Sequence, residues 1–137
     1  MSRKKERIVF TNGCFDILHV GHIRYLASAK AKGDILIVGL NSDKSFQRIK
    51  GRCPINNEQW RYEQLMALRS VDEVQIFDED TPYELIKEIG PDILVKGGDY
   101  DVKNIIGRDL VKKTMVISSG SKVHTSDIMR RIADIMN

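Results

Sequence analysis

The chain has 137 residues, 42% of them hydrophobic and 30% charged, and carries a formal net charge of +3. One domain of that size buries roughly two thirds of its unfolded surface, so it needs neither disulfides nor a structural metal to fold. No apolar run approaches the ~20 residues that cross a bilayer, and so mild a positive balance suits small anionic substrates better than nucleic acid.

Residues 1–6 read as a flexible basic lead-in, and the apolar stretch behind them is too short for a signal-peptide core. The cytoplasm is therefore the expected location, with Cys14 and Cys53 as reduced thiols that lack metal-type spacing. The first strand is expected at Ile8–Thr11. A helix follows from Gly21 to Lys32, with Ile23, Leu26, Ala27 and Lys30 on one stripe and Gly33 as its C-terminal cap. A second strand spans Ile35–Asn41. The cationic segment Lys44–Arg52 reads as a mobile loop, and Asn56 or Asn57 caps a helix running to about Arg69. A third strand at Glu73–Phe77 precedes Asp80-Thr81-Pro82, which opens a helix over Tyr83–Ile89 that ends at Gly90-Pro91. Strands at Ile93–Lys96 and Met115–Ser118 come next. The last helix starts near Thr125-Ser126-Asp127, with Ile128, Met129, Ile132 and Ile135 turned inward.

Short Ile/Val-rich runs alternating with helical patterns predict a single-domain α/β fold, a Rossmann-like, doubly wound, five-stranded parallel sheet spanning residues 1–137. Such sheets bind ligands beyond the carboxyl ends of their strands, where strand order reverses. The end of the first strand is therefore the place to look.

It holds Thr11-Asn12-Gly13-Cys14-Phe15-Asp16-Ile17-Leu18-His19-Val20-Gly21-His22. A glycine turn between a strand and a helix N-terminus aims backbone N–H groups and the positive helix end at one point, where an anion can sit. His19 and His22, three apart, reach the same side of the helix entry and add donors for charge growing on a phosphate oxygen. Gly21 leaves room for a phosphate to approach the backbone. A metal reading is poor, because His-x-x-His lacks a third ligand and an acidic partner. Two ordinary polar residues at a helix start are the plain alternative. The preceding strand, the Asn12-Gly13 turn and the Phe15-Asp16 pair weigh against it.

Val9 to His22, V-F-T-N-G-C-F-D-I-L-H-V-G-H, resembles the signature of the cytidylyltransferase-like branch of the HxGH nucleotidylyltransferases. Asn41-Ser42-Asp43, Arg48-Ile49-Lys50-Gly51 and above all Pro91-Asp92-Ile93-Leu94-Val95-Lys96-Gly97-Gly98-Asp99-Tyr100 sharpen the match. With them the chain, from about Arg7 to Ile132, is similar to the adenylyltransferases that act on D-glycero-β-D-manno-heptose 1-phosphate in bacterial ADP-heptose and lipopolysaccharide core synthesis. The resemblance implies in-line attack of a sugar-phosphate oxygen on the α-phosphorus of ATP, with Mg²⁺ accompanying the nucleotide and pyrophosphate leaving. A phosphate monoester is already an anion at neutral pH, its second pKa being about 6, so no general base is needed. Alignment and charge stabilisation remain for the protein to supply.

The resemblance gives His19, His22 and Lys50 catalytic roles. It places Thr11, Asn12, Gly13, Phe15, Asp16, Gly21, Lys96, Gly97, Gly98, Thr125 and Ser126, with both histidines, around the nucleotide. Asn41, Asp43, Lys44, Lys50, Arg61 and Asp99 are expected to meet the sugar phosphate, although an exposed helical arginine is an equal reading of Arg61. His124 stands where relatives carry serine, which leaves base selection open. A homodimer is implied, without nucleic-acid or membrane partners. The sugar kinase that many relatives carry in front of this domain is expected to be a separate polypeptide. A cytidylyltransferase for glycerol 3-phosphate or a related phosphoalcohol is the first alternative, disfavoured by the Gly97-Gly98-Asp99-Tyr100 loop. A non-catalytic nucleotide-binding regulator is the second, disfavoured by the retained histidines and hydroxyls.

Overall fold

The runs Ile8–Gly13 (β1), Ile35–Asn41 (β2), Glu73–Phe77 (β3), Ile93–Gly97 (β4) and Lys113–Ile117 (β5) pair in parallel as one sheet of order β3-β2-β1-β4-β5. The computed structural model describes residues 5–98, 101–118 and 122–137. Helices lie at Val20–Lys30 (α1), Asp43–Lys50 (α2), Glu58–Met66 (α3), Tyr83–Ile89 (α4) and Thr125–Met136 (α5). This is the doubly wound arrangement expected, and the order reverses on either side of β1.

Alternation along the strands makes two cores. Val9, Leu36, Val38 and Val95 face Leu26 and Ala29 of α1 and Leu65 of α3. Phe10, Ile37 and Leu94 face the other way, against Leu85 and Ile86 of α4 and Ile105 from the β4–β5 connection. Each fully buried side chain of this size stabilises the fold by roughly 1.5–3 kcal/mol.

The amino edge is pinned by aspartates just before β2, β3 and β4. The carboxylate of Asp34 accepts the Arg7 N–H (2.7 Å), that of Asp72 the Leu36 N–H (2.8 Å) and that of Asp92 the Ile8 N–H (2.9 Å). Each of the three also donates its own N–H to the same neighbouring strand start. Register is thus set at one edge, and the carboxyl ends are left to build a site.

Several elements differ from expectation. The charged stretch after β2 is a helix, α2, not a loop. The Ser42 hydroxyl caps it by accepting the Ser45 N–H (3.1 Å), buried Phe46 anchors it, and Gly51 at φ 73° ends it. On α1, Leu26 and Ala29 turn inward while Ile23 and Ala27 face out. Ala31 caps α1, and Gly33 serves close approach instead: a Cβ there would meet the Arg7 carbonyl oxygen at 2.9 Å. Asn57 caps α3, which ends at Met66 and not near Arg69. On α5, Ile128 and Met129 are half-buried, but Ile132 and Ile135 are 51% and 82% exposed. Amphipathic spacing identifies an apolar face without saying what covers it. Among the described residues, no helix is long and apolar enough to cross a membrane.

Candidate active site

The carboxyl end of β1 turns sharply. Phe15 adopts φ 47°, a left-handed conformation that costs a bulky residue about 1–3 kcal/mol. Asp16 holds it there. Its buried carboxylate accepts the N–H groups of Ile55 (3.1 Å) and Asn56 (2.9 Å), and its carbonyl accepts the Asn56 side-chain amide (2.7 Å). The Phe15 ring lies under Gly13, where a Cβ would come within 2.8 Å of it, and makes a T-shaped contact with the His22 ring, centroids 5.3 Å apart.

His19 is the N-cap of α1. Its Nδ1 accepts the Gly21 N–H (3.0 Å), while Nδ1 of His22 accepts the His19 N–H (3.2 Å). The rings stack with centroids 3.8 Å apart. Because both Nδ1 atoms accept, each neutral ring carries its proton on Nε2. Burial, then the neighbouring His19, pushes the pKa of His22 down to about 4. Burial also lowers His19, with His124 adding to the effect and Asp127 opposing it. Both imidazoles are therefore neutral Nε2–H donors at pH 7. Gly21 lines the cleft and also makes room for the His19 ring, which a Cβ there would strike at 2.8 Å.

These groups open onto a cleft in two adjoining parts. The inner part, about 470 Å³, is lined by Asn12, Gly13, Phe15, His19, Gly21 and His22, by Lys96, Gly97 and Gly98 at the end of β4, and by Thr125. The outer part, about 670 Å³, shares Asn12, Gly13, Phe15, His22, Lys96 and Thr125 and adds Asp16, Asn41, Lys50 and Ser126. Burial pushes the Lys96 ammonium below its ordinary pKa. It likewise raises the Cys14 thiol, against the pull of Lys50, Arg61 and Lys96. Gly97 is held against the Tyr25 ring, where a Cβ would approach to 2.8 Å.

Other expected site residues have different tasks. Arg61 is neither a phosphate clamp nor exposed: it is 0% accessible. Its guanidinium donates to the carbonyls of Asn56 (2.9 Å), Cys14 (2.8 Å) and Asn41 (2.8 Å) and to the Asp43 carboxylate (2.8 Å). It ties together the ends of β1 and β2 and the entry to α3, so four of its five N–H donors are committed. Asp43 is consequently a partner of Arg61 and lies outside the cleft lining. Lys44 is exposed and also outside it. Thr11 is fully buried and shares a 2.6 Å hydrogen bond with the Tyr25 hydroxyl, which reaches on to the Val95 carbonyl. Asn41 lines the cleft, but its amide donates to Ser45 (3.0 Å). Asp99 lies outside the described residues.

Sequence reasoning overlooked the outer wall: Phe46 and Ile49 of α2, Asp80-Thr81-Pro82 before α4, and Asn104-Ile105-Ile106 between β4 and β5. Only topology brings these three segments together, and no short motif marks them. Among the described residues, no group of three or more His, Cys, Asp or Glu is placed to hold a metal ion.

A profile of the cytidylyltransferase-like family matches residues 10–131. The chain belongs to the cytidylyltransferase-like family. Among the relatives of this cytidylyltransferase-like chain, the bifunctional protein HldE of Wolinella succinogenes is 56% identical over 128 residues, covering 93% of this chain and 27% of that protein. The bifunctional protein HldE of Campylobacter curvus is 56% identical over 133 residues, covering 96% and 28%. The chain thus spans little more than a quarter of the length of these curated relatives. A solved structure, the lipopolysaccharide core biosynthesis protein from Thermoplasma volcanium GSS1, superposes with a TM-score of 0.72 at 32% identity over 83% of this chain and 98% of that one.

Proposed function

We propose that the protein transfers AMP from ATP to D-glycero-β-D-manno-heptose 1-phosphate, giving ADP-heptose and pyrophosphate. The observation that carries this reading is the stacked pair of neutral imidazoles, both with Nε2–H available, at the junction of a two-part cleft that also holds Lys50 and Lys96. Identity above 50% to HldE proteins over nearly the whole chain supports it.

In this mechanism the inner part holds the nucleotide and the outer part the acceptor. A phosphate oxygen of the acceptor bonds to the α-phosphorus while the bond to the β-phosphate bridging oxygen breaks, and that electron pair leaves with pyrophosphate. His19 and His22 donate to phosphate oxygens as charge builds, without giving up a proton. Lys50 and Lys96 add positive charge from α2 and from the end of β4. Thr125, shared by both parts, and Ser126, on the outer one, present hydroxyls and the N-terminus of α5 to the phosphates where the two parts meet. Mg²⁺, when bound with ATP, supplies charge neutralisation on the triphosphate oxygens, and the donor set described above suits an ion that travels with the nucleotide. A sugar kinase acting in the same sequence, a homodimeric assembly and a cytoplasmic setting belong to the same proposal.

Pyrophosphate release, measured with ATP and with CTP against heptose 1-phosphate and glycerol 3-phosphate, tests the reading. Turnover with ATP and the heptose is expected. Turnover with CTP and glycerol 3-phosphate alone would replace it with the phosphoalcohol cytidylyltransferase.

A further inference from the structure

The outer wall of the cleft has chemistry that the phosphates do not need. Asp80 and Thr81 stand at the entry to α4, and Asn104, in the β4–β5 connection, lines the same cavity. Arg48 clasps the first of these segments to α2: its Nε donates to one Asp80 carboxylate oxygen (2.8 Å), and a terminal nitrogen donates to the Asp78 carbonyl. That leaves the second Asp80 oxygen unengaged among the described residues. The side chains of Thr81 and Asn104 likewise make no hydrogen bond to another described residue. Apolar side chains line the same space, Ile49 on α2 and Ile105 and Ile106 next to Asn104 in the chain.

With a carboxylate among its polar groups and an apolar floor, this wall does not suit a phosphate. The carboxylate would repel it, and the cations Lys50 and Arg52 line the same space to receive it. The wall does suit a neutral body with several hydroxyls and a C–H face. A cavity of about 670 Å³ falls in the range that encloses a whole drug-sized ligand, far more than three carbons fill.

We propose that Asp80, Thr81 and Asn104 form a hydroxyl-reading subsite that selects a ring-sized phosphorylated sugar over short phosphoalcohols. The acceptor lies with its phosphate toward Lys50 and His22 and its C–H face on Ile105 and Ile106. Its hydroxyls donate to Asp80 and exchange hydrogen bonds with Thr81 and Asn104. This rests on the nucleotidyl-transfer reading above and adds to it the residues that choose the acceptor.

Thr81 and Asn104 are exposed, so Thr81→Val and Asn104→Ala leave the core untouched. Steady-state pyrophosphate release by wild type and by each variant, with ATP and heptose 1-phosphate varied in turn, tests the assignment. Losing one neutral hydrogen bond raises KM by about 3- to 10-fold. Each variant is expected to raise the acceptor KM by that factor while the ATP KM stays within twofold. An active wild type whose variants leave the acceptor KM unchanged, or shift the ATP KM instead, would overturn the subsite while leaving the proposed reaction standing. A wild type inert with every sugar phosphate would overturn both.

Discussion

Arg61 separates a structural account from a ligand-binding one. Arg61→Ala deletes a wholly buried guanidinium that supplies hydrogen bonds to three carbonyls and one carboxylate. Removing one partner of a buried ion pair typically costs 3–5 kcal/mol, because the groups left behind lose their donors in a low-dielectric setting. The Asp43 side chain is 39% exposed and can recover some hydration, which places the expected loss near the lower end, about 3–4 kcal/mol. For 137 residues that corresponds to a fall in Tm of roughly 10–14 °C. Urea unfolding at pH 7 reads it as a lower midpoint with an unchanged slope. Arg61→Lys keeps a charge for Asp43 but loses the planar fork, so it should recover only part of the loss. An Arg61→Ala protein within 0.5 kcal/mol of wild type, with a raised acceptor KM, would refute the reasoning and return Arg61 to the substrate.

Gly21→Ala forces the new methyl against the His19 ring, so turnover should fall about 100-fold with little change in unfolding midpoint, as measured by pyrophosphate release and denaturation together. The acid limb of the rate profile should follow the acceptor phosphate, near pH 6, with no loss of rate up to pH 8, because neutral imidazoles already donate. A rate that declined through pH 7 would mean that a charged imidazole is required. Stability should respond to His22 in the opposite sense to a salt-bridged histidine. The unfolded chain binds its proton near pH 6.5 and the folded one only near 4, so stability is full above about pH 7 and declines as pH falls between those values. Discounted for the ring's partial exposure, the loss is roughly 1–2 kcal/mol, read as a midpoint difference between pH 7.5 and 4.5 that shrinks in His22→Ala. Asp92→Ala leaves the Ile8 N–H without its acceptor and should cost about 1–3 kcal/mol in urea unfolding while the kinetic constants hold.

The alternation of branched apolar runs with helical periods was legible, and β2, β3 and α4 fall where the pattern put them. β2, buried on both faces, leaves an unambiguous run, and proline and glycine bracket α4. The charged segment of α2 misled because its cations read as a phosphate-binding loop, while Phe46 and Ile49, three apart, and the Ser42 and Gly51 caps are short signals. Arg61 misled for a related reason: a helical period cannot distinguish an arginine facing solvent from one threaded under the sheet's end. Its partners are backbone carbonyls, which no side-chain pattern announces. At the site, the strand–turn–helix context placed the histidines at the cleft. Their mutual capping and single tautomer depend on backbone N–H directions that appear only in three dimensions.

Single-turnover transfer of AMP from ATP to heptose 1-phosphate by wild type, His19→Ala and His22→Ala bears on the whole account. Loss of one positioned donor to a developing oxyanion lowers the rate by about 10²–10³. Each variant should show that loss while unfolding cooperatively like wild type. Folded variants that transfer AMP at near wild-type rates would contradict the assignment of the imidazole pair.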